Sequence, residues 1–189
     1  WQFSGFFRYS TETDYIARIF GGSIARDLFQ KNVNLSLAYS GNRDRIYRIV
    51  PGDKVEWTSG DRGENLLQIH YLRAGYTQSF LPTLLFGAQL EGAYSKGPQD
   101  NPYRRVVNAD NEKHPWTRLR LAPSVWVRWM AVPKWLTVVP SYRFYRDDWD
   151  ITGHSAEAQV HLRFLEHWRL RLRYRYYTQS AAFFFRADN

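Results

Sequence analysis

The chain of 189 residues carries 26 Lys and Arg against 18 Asp and Glu, for a net charge of +8, and its 44% hydrophobic and 17% aromatic content excludes a disordered chain while allowing one sizeable domain. It has no Cys, which excludes disulfides, thiolate catalysis and cysteine metal sites. No apolar run approaches the roughly 20 residues of a spanning helix, and the mean hydropathy of −0.55 agrees; a helical membrane protein is excluded, but a barrel of alternating strands is not.

Trp1 opens directly into strand-like sequence, as expected of a mature or trimmed chain. Trp1, Phe3, Gly5, Phe7 and Tyr9 alternate with Gln2, Ser4, Phe6, Arg8 and Ser10, which predicts a first strand with one aromatic face. A second strand runs from Asp14 to Leu28; Gly21-Gly22 blurs its faces, and placing Arg18 and Arg26 inward is the cheaper choice. Val33, Leu35, Leu37 and Tyr39 then face outward. Residues 41–65, broken by Pro51, Gly52, Gly60 and Gly63, read mostly as a long loop.

The next strand puts Leu72, Ala74, Tyr76 and Phe80 on one face and Tyr71, Arg73, Gly75 and Thr77 on the other. Leu81-Pro82-Thr83 turns the chain into Leu84, Phe86, Ala88, Leu90 and Tyr94, and a second long loop covers 96–115. Leu119, Leu121, Val125, Val127 and Trp129 are expected outward, with Arg118, Arg120, Ser124 and Arg128 inward. After Val132-Pro133 come Leu136, Val138, Tyr142 and Phe144, and after 146–153 come Ala156, Ala158, Val160, Leu162 and Phe164. Trp168, Leu170, Leu172, Tyr174 and Tyr176 follow, opposite a ladder of Arg169, Arg171, Arg173 and Arg175; Ala181 to Arg186 begins one more strand.

This pattern predicts an all-β fold, an antiparallel up-and-down transmembrane β-barrel of about ten visible strands, with 1–189 as a single domain. Turns alternating short and long, and Trp116, Trp129, Trp135, Trp149, Trp168, Tyr94 and Tyr176 at strand ends, fit a barrel with aromatic girdles. About ten strands enclose a lumen filled largely by side chains. A soluble ligand-binding barrel is the alternative, and its outward face should be polar.

Each hairpin must keep its apolar sets on one side, which fixes registers. A turn at 81–83 sets Arg73 opposite Glu91, one at 132–133 sets Arg118 opposite Asp147, and one at Leu165-Glu166-His167 sets Glu157 opposite Arg175. The same register sets Arg169, Arg171 and Arg173 opposite Arg163, His161 and Gln159. A basic cluster of Arg163, His161, Arg169, Arg171 and Arg173 is therefore expected inside the lumen near the short turns, with an anionic ligand as its natural partner.

Other chemistries fit less well. The histidines His70, His114, His154, His161 and His167 are scattered, so no metal or other cofactor is expected. Asp147-Asp148-Trp149-Asp150 lacks the glycine and ligand spacing of a calcium loop. His154 and Ser155 suggest an outer-membrane lipid hydrolase, but adjacent strand residues point to opposite faces, and no catalytic residue is assigned. Nucleic-acid binding needs basic and aromatic side chains on one face, and here they lie on opposite faces.

Arg143-Phe-Tyr-Arg-Asp-Asp-Trp-Asp-Ile-Thr-Gly-His-Ser155, with Asn101-Pro-Tyr-Arg-Arg-Val106, Asp27-Leu-Phe-Gln-Lys-Asn32 and Tyr174-Arg-Tyr-Tyr-Thr-Gln-Ser-Ala-Ala182, resembles a family of bacterial outer-membrane proteins described only as a domain of unknown function. The resemblance implies a barrel in the bacterial outer membrane, in contact with its lipid. It also implies Asp at the position of Phe183 and a chain continuing past Asn189, so that this chain is a trimmed portion of a longer barrel. The expected function is non-enzymatic: a narrow or plugged, basic barrel serving as an anion-preferring, porin-like channel or transport component, or as the membrane anchor of an envelope complex with protein partners.

Overall fold

The computed structural model describes residues 1–50, 53–56, 65–101, 103, 114–164 and 168–185. Its strands are β1 (Gln2–Thr11), β2 (Tyr15–Leu28), β3 (Val33–Val50), β4 (Asp53–Glu56), β5 (Leu66–Leu81), β6 (Leu84–Lys96), β7 (Thr117–Val132), β8 (Leu136–Asp147), β9 (Thr152–Phe164) and β10 (Trp168–Gln179). Nine of them form an antiparallel meander in the order β1-β2-β3-β5-β6-β7-β8-β9-β10, and β4 pairs β3 off that path. Among the described residues β1 pairs only β2 and β10 pairs only β9, so the sheet is open and the closed barrel expected from the alternation is not formed.

Three further expectations change. Residues 41–50 are not loop: β3 continues through them and turns back into β4. The strand expected to begin at 181 is absent from 181–185, where the chain folds back and the Phe183 amide donates to the Trp149 carbonyl at 3.0 Å. Arg18 and Arg26 lie on the aromatic face, because the β1 register sets Phe7 opposite Phe20 and Tyr9 opposite Arg18. Arg26 there stacks on Trp1, 4.6 Å from its ring centre, which shelters the charge at the strand's end.

Connections 29–32, 82–83 and 133–135 lie at one end of the sheet, the turn end. Connections 12–14, 97–116 and 148–151 lie at the other, the loop end, so the expected alternation of short with long is only partial. Two turns differ from their expected form. Leu81 pairs Leu84 around a two-residue turn after a bulge at Ser79/Leu81, and Val132 pairs Leu136 after an irregularity at Trp129/Val132. The second bulge moves the β7–β8 register by two residues and sets Arg120, not Arg118, opposite Asp147. The turn at 165–167 lies outside the described residues, as do most of 101–106, but the β9–β10 register is as expected, with Trp168 on Phe164 and Arg175 on Glu157.

Among the described residues there is one layer and no facing sheet, so few side chains are buried, and most of those gather at the loop end. Asp44 accepts from the Tyr15 hydroxyl at 2.5 Å and the Arg18 amide at 3.3 Å. Ser95, Pro98, Asp100, Asp147 and Trp149 form a second buried group, closed by Phe184, whose ring lies 5.2 Å from Trp149 and 5.4 Å from His114. Gly97 admits this group. Its φ of 131° lies in glycine's own region, and a Cβ there would come 2.3 Å from the Leu66 carbonyl oxygen.

Elsewhere aromatic rings cover glycines on the neighbouring strand. Phe6 lies over Gly21, Phe20 over Gly41 and Trp126 over Gly87, so close that a Cβ would overlap each ring. The ring supplies the packing that the bare backbone lacks.

Candidate functional site

Register divides the sheet into two faces. One carries Leu35, Leu37, Leu72, Leu90, Leu119, Leu121, Val125 and Trp129, each at least 43% exposed. The other carries the acids Glu91, Asp147 and Glu157, whose side chains are 21%, 0% and 13% exposed. This inverts the usual order in water, where carboxylates face out and leucines in. The shielding comes from hydrogen bonds along and across the strands.

Glu91 accepts from Tyr71 at 2.8 Å, Gln89 at 2.7 Å and Arg143 at 2.7 Å. Arg73 sits opposite Glu91 as expected, yet the ion pair is Glu91–Arg143, and Arg73 has no acid partner among the described residues. Asp147 accepts from Arg118 at 2.6 and 2.9 Å, from Tyr145 at 2.8 Å, and from the amides of Trp149 at 3.1 Å and Ile151 at 2.9 Å. The Arg118–Asp147 pair thus forms despite the shifted register, because Arg118 reaches diagonally. Trp149, expected in a girdle, is instead buried under the Arg118 guanidinium at 4.1 Å.

Glu157 is opposite Arg175, but its ion pair is with Arg173 at 2.5 Å, and Gln159 donates to it at 2.6 Å. Arg175 donates to Ser155 at 2.9 Å. Diagonal neighbours on paired strands lie within reach of long side chains, and Arg118 and Arg173 use that reach, whereas Arg143 of β8 reaches across β7 to Glu91 of β6. A cavity of about 370 Å³ on this face is lined by Arg118, Arg143, Tyr145, Ser155 and Arg175, of which Arg118 and Arg143 are paired with acids and Arg175 donates to the Ser155 hydroxyl.

The turn end differs. Arg169 lies opposite Arg163 and Arg171 opposite His161, and none of these four side chains has an acid partner among the described residues. Like charges directly opposite one another, as at Arg163 and Arg169, are destabilising. Arg173, expected in the cluster, leaves it for Glu157.

The sequence assigned no part in these networks to Tyr71, Gln89, Arg143, Tyr145, Gln159 or Ser155. A signal existed for three of them. Gln89/Glu91, Tyr145/Asp147 and Glu157/Gln159 are separated by two residues, so each acid has a donor beside it on its own face. His154 and Ser155 do face opposite ways: the His154 ring meets the Tyr142 hydroxyl at 2.6 Å, while Ser155 meets Arg175.

The profile of the family described as "Protein of unknown function (DUF3570)" matches residues 1–188. No curated protein and no solved structure matches the chain.

Proposed function

The chain belongs to the DUF3570 family, which brings no activity with it, and we propose that it is a non-catalytic wall of a transmembrane β-barrel in the bacterial outer membrane, presenting an anion-binding patch on its lumen face. The observation that carries this reading is the inverted exposure of the two faces. A compact water-soluble chain of 22.5 kDa exposes about 9,500 Å², whereas this one exposes 13602 Å² with its leucines outermost. Lipid is the solvent that accepts such a face.

Dimensions agree. Trp129 and Leu119 bound the apolar stripe of β7, ten residues apart, which is about 34 Å along a strand and about 25 Å once the strand tilts by roughly 40°. A groove of about 720 Å³ on the same face, lined by Ile24, Leu37, Ala74, Ala88 and Val125 with Arg26 at its rim, has the apolar lining that a lipid tail needs.

Two experiments test the two halves. In lipid vesicles Leu90→Arg should lower folding stability by about 2–4 kcal/mol, whereas Thr77→Arg, on the polar face, should lower it far less; equal losses would mean that neither face meets lipid. For the patch, inorganic phosphate should stabilise the wild type more than chloride at equal ionic strength, through mass action. An Arg169→Gln/Arg171→Gln variant that keeps the full phosphate effect would remove the anion assignment.

A further inference from the structure

Among the described residues, β1 and β10 are each hydrogen-bonded along one side alone. All of β10, and all of β1 except Ser10, is exposed. Alternate backbone N–H and C=O groups on each open edge point away from the sheet, which is a template for another strand.

Strand polarity restricts what fits. Nine strands, each antiparallel to the next, leave β1 and β10 running the same way, from turn end to loop end. A direct β1–β10 seam would be parallel and would close an odd-numbered barrel, where single-chain bacterial barrels have even numbers. A second copy in the same membrane orientation would also meet these edges in parallel, and β10 against its own copy, related by an axis along the strands, would set the arginine face of one beside the apolar face of the other. An odd number of added strands, running from loop end to turn end, is antiparallel to both edges.

Side-chain chemistry at β10 narrows the occupant. Its apolar face offers Trp168, Leu170, Leu172 and Tyr174, all exposed. On its polar face Arg173 has Glu157 and Arg175 has Ser155, while Arg169 and Arg171 lie opposite Arg163 and His161 and have no acid partner among the described residues. We propose that the open edge of β10 receives an antiparallel β-strand that alternates apolar with acidic residues, its carboxylates pairing Arg169 and Arg171. This rests on the barrel-wall reading and names the anion of its basic patch.

The test uses the whole chain in detergent micelles with a twelve-residue peptide, the length of β10, alternating valine with glutamate; the control alternates valine with lysine. Hydrogen exchange at the edge-facing amides of residues 168–179 should slow about tenfold or more with the glutamate peptide and stay unchanged with the lysine peptide. In Arg169→Glu/Arg171→Glu the preference should reverse. Equal protection by both peptides, or by neither, would overturn the assignment. So would protection that rises with protein concentration alone, since a second copy then holds the edge. A chloride-over-potassium preference that persists in bilayers with the glutamate peptide and vanishes in Arg169→Gln/Arg171→Gln would overturn it too, because the arginines would then be open to mobile ions. Failure of the wall reading is seen separately, as a chain that does not enter vesicles.

Discussion

Replacing Asp147 by Asn changes one atom of the carboxylate and leaves its shape intact. The Oδ1 side can still accept from the Trp149 and Ile151 amides. The Oδ2 side cannot, because an amide nitrogen there meets both Arg118 donors, and only the Tyr145 hydroxyl can turn to accept from it. The Arg118 side chain is 21% exposed and is left without its counter-charge. Breaking a shielded pair by removing one partner costs about 3–5 kcal/mol. With a urea slope of about 2 kcal/mol per molar, the unfolding midpoint should fall by about 2 M. Tryptophan fluorescence of the protein in vesicles reads this directly, because the Trp149 indole lies under Arg118. Adding Arg118→Met should recover part of the loss, giving a coupling of at least about 0.5 kcal/mol. A loss below about 1 kcal/mol for Asp147→Asn, or strict additivity in the double variant, would refute the claim that this carboxylate organises the loop end.

Two smaller perturbations address the backbone. Gly97→Ala should cost roughly 2–5 kcal/mol, from a backbone angle that alanine avoids and a clash with the Leu66 carbonyl, measured as a lower melting temperature. Gly87→Ala should cost about 1–3 kcal/mol, since its Cβ would lie 2.2 Å from the Trp126 ring. The same substitution in a Trp126→Ala background should cost little, and an equal cost in both would mean that ring and glycine do not interlock.

The faces of the strands were legible because they depend on a period of two, which the residues carry one strand at a time. Leu72, Leu90 and Leu172 fall on the expected side for that reason. Registers were legible at β9–β10, and at β5–β6, where the bulge at Ser79/Leu81 offsets the shorter turn and restores the expected pairing. At β7–β8 a bulge next to Trp129 shifted the pairing, and nothing in Ala131-Val132-Pro133 announces one. Ion pairs were less legible still. Opposite positions follow from the backbone, but Arg143 and Arg173 reach past the residues opposite them, Arg143 to Glu91 and Arg173 to Glu157. Closure was not legible at all, because alternation describes a strand and its two faces and says nothing about the edges of a sheet.

The return of residues 180–185 over the loop end sets an order of events during folding. Ser180 donates to the Asp150 carbonyl at 3.0 Å and accepts from the Thr152 amide at 2.8 Å, and Phe184 completes a ring cluster with Trp149 and with His114, seventy residues earlier. Contacts of such separation form only after the intervening strands have found their partners, since the loop they close is costly until those strands shorten it. Phe184 is therefore a latch that fastens after β7 to β10 have paired. The quenching or shift of Trp149 emission on its arrival would be a clock for completion of that half of the sheet.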